Sequence, residues 1–460
     1  MTPTPLKQLA HMMGSQTFSE AHAALVCRGV STDSRTVQPG DCFFALTGER
    51  DGHQYVARAL EQGATCAVVS RPCHGLDNPG APLIQVPDTL GALARCAQTY
   101  RRQGQYTVVG ITGSVGKTST RWITAHCLKS KYRVHQSPKN FNNHIGLPMT
   151  LLTAGPTDEV IVAEMGSNAP GEIADLSHMA EPDVAVVTNA HAVHLEGFGC
   201  LEAVMREKIS IGQGLKTSGP LFVNADIPAL ADLACVEYAS PVLFGLNPYC
   251  DIPALNVTTL PNSSRATIHN TDLEIPLPGP GNVLNTLAAW AVCRHLGMSI
   301  ETFAEAIKTL PPIAMRGETL TLDHLALICD CYNANPASMK NALAILDSQA
   351  KPDQRCVFVA GDMAELGPDS EALHEALGSD IACSRVNLLI AVGPLSGIAA
   401  QNAQAKTNKR LQIECFEDTM SACAALKSLI QAGDLILVKG SRSARLERAV
   451  DVLKSLSFDV

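Results

Sequence analysis

The residues with the clearest chemistry run Gly110-Ile-Thr-Gly-Ser-Val-Gly-Lys-Thr118. A strand-like run, YTVVGI, enters this glycine-rich turn, and a segment with helical periodicity, TSTRWITAHCL, leaves it. Backbone N–H groups of such a turn cradle phosphate oxygens, a lysine adds a point charge, and the next hydroxyl can ligate magnesium. Thr112, Gly113, Ser114, Gly116, Lys117, Thr118 and Ser119 are therefore the candidate contacts to a nucleoside triphosphate. The strict spacing G-x-x-x-x-G-K-[ST] needs Gly at position 111, where this chain has Ile, so the segment is a T-G-x-x-G-K-T variant.

Two further strand-like runs end in polar residues. VIVAEMGSN places Glu164 at the carboxyl end of a buried strand, where open α/β sheets bind ligands and an acidic residue can hold magnesium. DVAVVT runs into a loop carrying His191 and His194, which are either ligands for a divalent metal or hydrogen-bonded loop residues.

The elements that must position these groups form three textures. Up to about residue 102, short β-like runs (42–46, 65–69) mix with an Ala-rich helix over 89–101. From 103 to 312, apolar runs without alternation predict strands buried on both faces, then a less regular Pro-, Asn- and Thr-rich stretch over 220–280, then a helix in NVLNTLAAWAVCRHL. Pro311-Pro312 marks the second boundary. Over 313–460, five strands with intervening helices predict an open, doubly wound parallel sheet of Rossmann type. The expected fold is α/β in three domains: 1–102 a small module for a substrate, 103–312 a central P-loop sheet for ATP, and 313–460 a module for the nucleotide and a second substrate.

A chain of 460 residues suits about three domains. With 46 % hydrophobic and 17 % charged residues it is an ordinary globular composition, which excludes disordered and fibrous classes. A net charge of −9 without any block of more than two Lys or Arg excludes an extended nucleic-acid groove or a polybasic membrane patch. No apolar run reaches the length of a membrane span, and the N-terminal residues lack the layout of a signal peptide, so a cytoplasmic monomer with no membrane insertion is expected. Sixteen cysteines without a C-x-x-C pair read as reduced, buried small hydrophobes and disfavour a structural zinc site.

TGSVGKT, NFNNHIG (140–146), AEMGSN, HLEGFG, YNANP (332–336) and KGSR (439–442) together resemble the Mur ligases of peptidoglycan synthesis. The likeness covers nearly the whole chain, since STDSRTVQPGDCFFAL and GERDGHQYVARALEQGA resemble that family's UDP-substrate domain. YNANP followed by GDMAELG and KGSR resembles the dipeptide-adding branch; the D-N-P-R motif of the diaminopimelate-adding branch is absent.

This resemblance implies an ATP-dependent acid–D-amino-acid ligase. It would join D-alanyl-D-alanine to UDP-N-acetylmuramoyl-tripeptide through an acyl phosphate, with ATP and magnesium. It implies catalytic roles for Lys117, Glu164, His194, Lys208 and Arg316, with metal held by Thr118, Glu164, His194 and Lys208 as a carbamate. Asn282, Asn285, Asp330, Tyr332, Asn333 and Asn335 are the implied nucleotide contacts. Ser34 and Arg35 would hold the UDP moiety or form a capped turn, and Asn140, Asn142 and Asn143 would meet peptide or phosphate or form structural turns. Lys439, Ser441 and Arg442 would meet the dipeptide or cap a helix. Two departures stand out: the family usually has His where this chain has Gly281, and its Asp-Asp-Ser-Tyr reads Cys329-Asp330-Cys331-Tyr332. A P-loop phosphotransferase and a Mur-type ligase with another amine acceptor are the alternative readings.

Overall fold

The computed structural model describes every residue except 16, 74–79, 192–194, 323–324, 408–409 and 457–460, and leaves out the side chain of Leu195. Three main sheets organise it. The first has five strands in the order Thr17–Phe18, Leu83–Gln85, Cys66–Val69, Asp41–Phe44, Gly29–Ser31, parallel except for its first pair.

The central sheet has nine strands. Thr107–Thr112 lies in its interior, flanked in parallel by Val160–Glu164 on one side and Val184–Val187 on the other. Because the chain leaves Thr107–Thr112 and returns on both sides of it, a crevice opens at its carboxyl end, the site where open α/β sheets take ligands. The register decides what meets there: Glu164 pairs with Ile111 and Val187 with Thr112, so the glycine-rich turn and the acidic strand end emerge side by side. These strands are apolar at almost every position because helices cover both faces.

The stretch 220–280, expected to be less regular, is ordered as five strands and the Pro228–Glu237 helix. Leu221–Asn224, Val242–Gly245 and Ile252–Thr259 continue the parallel sheet, and Ser264–Ile268 and Thr271–Ile275 close it in antiparallel pairing. Its alternating exposure leaves one face outward, while the other packs on the Pro280–His295 helix, whose Trp290 lies 5.2 Å from Phe303 and 5.8 Å from His269, ring to ring.

The third sheet has six strands: Glu318–Leu322, Leu325–Cys329, Leu435–Lys439, Cys356–Gly361, Val386–Val392 and Gln412–Phe416. Five run parallel; Glu318–Leu322, half-exposed and not anticipated in the sequence, is an antiparallel edge strand.

The apolar cores show how these units are joined. One cluster runs without a break from Leu6 and Leu93 of the first module to Leu147, Leu176 and Val187 of the central one. The Thr89–Gln103 helix is the bridge, and its Arg101, 2 % exposed, donates to the carbonyls of Ala180, Tyr106 and Glu181 and pairs with Asp183 at 2.7 Å. The third sheet instead has its own two cores. The connection to it passes Met315 (φ 58°) and Gly317 (φ 72°), left-handed backbone in which Met carries strain that Gly does not.

All sixteen cysteines are free. Cys66, Cys96, Cys127, Cys293 and Cys356 are buried as expected, but Cys200, Cys235, Cys383 and Cys415 are exposed, so burial is not general. Among the described residues no helix is long and apolar enough to cross a membrane.

Candidate functional site

A cleft of about 830 Å³ lies at the carboxyl ends of the central strands and is closed on the far side by the third module. Gly113 (φ 144°) and Gly116 (φ 82°) allow the turn: a Cβ on Gly113 would lie 2.0 Å from the Thr188 hydroxyl, and one on Gly116 2.2 Å from Asn285 Oδ1. The turn ends at the Lys117–Leu128 helix, whose first N–H groups face the cleft. Ser114, Gly116, Lys117, Thr118 and Ser119 line it, while Thr112 and Gly113 sit behind. Lys117 folds back so that its ammonium donates to the Gly113 carbonyl at 2.6 Å. Burial lowers the pKa of this amine, against the opposing pull of Glu164.

Glu164, 2 % exposed, is the best-held group in the cleft. Thr118 Oγ1 donates to its Oε2 at 2.9 Å, Asn142 Nδ2 to its Oε1 at 2.8 Å, and Arg121 Nε lies 3.5 Å from Oε2. Arg121, 4 % exposed, had no place among the expected site residues. Its guanidinium donates to Gln136 Oε1 at 2.8 Å, to the Ser137 carbonyl and to the Lys139 carbonyl, so it fastens Glu164 to the start of the Asn140 loop. The signal available was its position four residues after Lys117, one helical turn along the same face.

Asn140 and Asn143 both line the cleft, and Asn143 Oδ1 in addition accepts from the N–H groups of Ile145 and Gly146 at 3.1 and 2.9 Å, a capping use. His191 lines the cleft with its pKa lowered by burial; His194 lies outside the described residues.

Lys208 is 1 % exposed and stands behind Ser167, which lines the cleft and accepts from its amine at 2.7 Å. The ring of Phe198 lies 5.4 Å from that amine, and among the described residues no carboxylate is within ion-pair distance. Burial, with a smaller push from Lys117, lowers its pKa to about 7.

From the third module, Arg316 stacks on Tyr332 with its guanidinium 4.3 Å from the ring centroid, and Arg442 lies 5.9 Å from the same ring. Both arginines and Tyr332 line the cleft opposite the glycine-rich turn. Asp330 is held by Lys439 at 2.6 Å, and Lys439, 1 % exposed, also donates to the Asn333 carbonyl at 3.0 Å. Lys439 also lines the cleft, where its ammonium braces the Asp330–Asn333 loop. Asn335 caps the Pro336–Gln349 helix in a reciprocal box with Ser338, and Asn333 Oδ1 accepts from the Ala334 N–H at 2.9 Å.

Asn282 and Asn285 line the cleft at the start of the Pro280–His295 helix. Ser441 does not line it; its hydroxyl meets Ser443 at 2.9 Å. Ser34 and Arg35 also lie off this cleft, with Arg35 exposed and paired to Asp33, whose carboxyl it holds down at about 2. The first module reaches the cleft through Leu90.

Comparison with known proteins covers most of the chain. Three family models match in sequence: the Mur ligase family catalytic domain over residues 26–101, the Mur ligase middle domain over 111–293, and the Mur ligase glutamate ligase domain over 315–442. The UDP-N-acetylmuramoyl-tripeptide–D-alanyl-D-alanine ligases of Bacillus subtilis and Escherichia coli are each 34 % identical to this chain, over 99 % of both partners. The structure of MurF from Acinetobacter baumannii superposes with a TM-score of 0.86 at 28 % identity, covering 99 % of this chain and all of that one. The ADP complex of MurF ligase from Thermotoga maritima superposes with a TM-score of 0.80 at 27 % identity, over 93 % of this chain and 97 % of that one. With relatives this similar along its full length, and a phosphate turn, buried carboxylate and opposed arginines sharing one cleft, the chain belongs to the Mur ligase family.

Proposed function

We propose that this chain couples ATP hydrolysis to an amide bond, joining D-alanyl-D-alanine to the terminal carboxylate of UDP-N-acetylmuramoyl-tripeptide. The carboxylate attacks the γ-phosphorus, ADP leaves, and the acyl phosphate is displaced by the amine with loss of inorganic phosphate. One observation carries the reading: Lys117, Thr118 and Glu164 of the central module and Arg316, Tyr332 and Arg442 of the third line a single cleft. Bringing a triphosphate and a carboxylate together requires cations on several sides, and Lys117, Arg316 and Arg442 supply them.

The donor set fits magnesium. Thr118 Oγ1 and the Glu164 carboxylate are hard oxygens 2.9 Å apart at the phosphate turn. Lys208, buried with no carboxylate partner among the described residues, is better accommodated as a neutral amine or an anionic carbamate than as an ammonium. We assign Thr118, Glu164, His194 and carbamylated Lys208 as metal ligands; when bound, the ion neutralises phosphate charge and aligns the reacting oxygens. Glu164 is kept in place by Asn142 and Arg121, and Lys117 remains as the charge on the phosphates. We assign Ser34 and Arg35 to the UDP moiety, and Arg442 to the phosphates or the dipeptide carboxylate. The divisions near residues 102 and 312, a monomeric state and a cytoplasmic setting, where UDP-linked precursors and ATP are found, complete the reading.

Phosphate release from ATP, measured with magnesium and the UDP-linked tripeptide, should depend strictly on D-alanyl-D-alanine. Release at the same rate without the dipeptide would point instead to a phosphotransferase. Lys117→Met should lower the rate by roughly 10²–10³-fold, the usual consequence of deleting one preorganised group facing developing charge.

A further inference from the structure

Two adjacent residues of the Leu201–Ile209 helix grip the loop that leaves Glu164, and only one of them has a role so far. Lys208 donates to Ser167 Oγ at 2.7 Å. Glu207, 5 % exposed, reaches the other end of the same loop: its Oε2 accepts from the Gly171 N–H at 2.7 Å and its Oε1 from the Ile173 N–H at 2.8 Å. These N–H groups open the Glu172–Ala180 helix, where unpaired backbone donors and the helix dipole favour a negative charge.

The loop between the two anchors has little freedom of its own. Met165 N–H donates to the Ile111 carbonyl at 2.9 Å and Gly166 N–H to the Asn142 carbonyl at 2.7 Å, which fixes the end nearest Glu164. The N–H groups of Asn168 and Ala169 donate to Glu172 Oε2 at 2.7 and 3.3 Å, so the first turn of the Glu172–Ala180 helix carries the middle of the loop. Glu207 holds that turn. Among the described residues no Lys, Arg or His lies within ion-pair distance of it. Burying a carboxylate among neutral partners costs more than packing an apolar side chain of similar size, so what Glu207 contributes is a fixed geometry rather than bulk stability.

We propose that Glu207 is a positioning residue for the magnesium site: it locks loop 165–171 to the helix that carries Lys208, so that Glu164, Ser167 and Lys208 keep one spacing at the cleft wall. This rests on the metal reading above, in which Glu164 and Lys208 share an ion. Because Glu207 and Lys208 are consecutive, one rigid turn of helix sets both anchors, and any shift of that helix moves loop and lysine together. Glu207 does not line the cleft, so it acts only through these neighbours.

The test is calorimetric titration of magnesium into the full chain holding a non-hydrolysable ATP analogue, for the parent, Glu207→Gln and Glu207→Ala, at a temperature where each is folded. Glu207→Gln keeps the volume but turns an N–H toward a backbone N–H. Both variants should bind magnesium about tenfold more weakly, the scale of lost support behind a metal ligand, while binding of the analogue without magnesium is unchanged. In a Ser167→Ala background, where the loop is already released from Lys208, Glu207→Gln should cost much less. A plain helix cap would lower the unfolding midpoint alone; magnesium affinity within about twofold of the parent in both variants, or an equal loss in the Ser167→Ala background, overturns the proposal. Should neither variant fold, hydrogen exchange of the parent decides: the Gly171 and Ile173 amides should exchange more slowly with magnesium and the analogue than with the analogue alone, and equal rates overturn it. Failure of the metal reading is distinguishable, because Lys208→Met would then bind magnesium as the parent does; failure of the ligase reading shows as dipeptide-independent phosphate release.

Discussion

Lys208 is the residue on which the chemistry leans hardest. Its amine titrates at about 7 instead of the ordinary 10.5, because burial disfavours the ammonium. Above pH 7 it is therefore a free base able to take up carbon dioxide, releasing a proton and leaving an anionic carbamate. The sign for stability follows: between about 7 and 10.5 the unfolded chain binds more protons at this site, so stability rises with pH across that window. In bicarbonate-free buffer, urea unfolding of the parent should show this rise and Lys208→Met should lack it; equal slopes would contradict the assignment. Activity of the parent, but not of the variant, should respond to added bicarbonate. Arg121 makes a second prediction. Removing it leaves the Glu164 charge buried with neutral partners, so Arg121→Met should cost about 3 kcal/mol in urea unfolding, the scale of a broken buried pair. In a Glu164→Gln background the same substitution should cost much less, and an equal loss in both backgrounds would show that the two residues are not coupled.

The elements tell which parts of the molecule were legible in sequence. Strands buried on both faces, such as Thr107–Thr112, Val160–Glu164 and Cys356–Gly361, stood out because nearly every position is apolar, and the phosphate turn stood out because its glycines and lysine are adjacent in the chain. Strands with one wet face did not: Ser264–Ile268, Thr271–Ile275 and Glu318–Leu322 are short, polar on alternate or most positions, and defined by their antiparallel partners. Side-chain roles set by distant partners were equally hidden. Arg121 meets Ser137 and Glu164, and Lys439 meets Asp330 from 109 residues away, so only folding reveals them as braces. The capping box at Asn335 gives a prediction at this scale. Asn335→Ala should destabilise the third module by about 1 kcal/mol, while Asn335→Ser should recover most of the loss. If Asn335→Ser is as unstable as Asn335→Ala in thermal unfolding, the side chain does not act there as a cap.

In the whole molecule, the first two modules share a core through the Thr89–Gln103 helix, whereas the third has its own cores and a connection carrying left-handed backbone at Met315 and Gly317. Relative motion is therefore expected at the second joint. Cations from both sides of that joint face one cleft, so filling it with ATP analogue and UDP-linked tripeptide should draw the third module inward. Small-angle scattering should record a smaller radius of gyration with both ligands, and a doubly substituted Arg316→Ala, Tyr332→Ala chain should fail to contract; contraction of equal size in that variant would contradict a role for this pair in closure. The closed molecule has one task, to move a phosphoryl group onto a carboxylate. With 18O in the terminal carboxyl of the tripeptide, one labelled oxygen should appear in the inorganic phosphate for every amide bond formed; unlabelled phosphate accompanying full product formation would contradict the account.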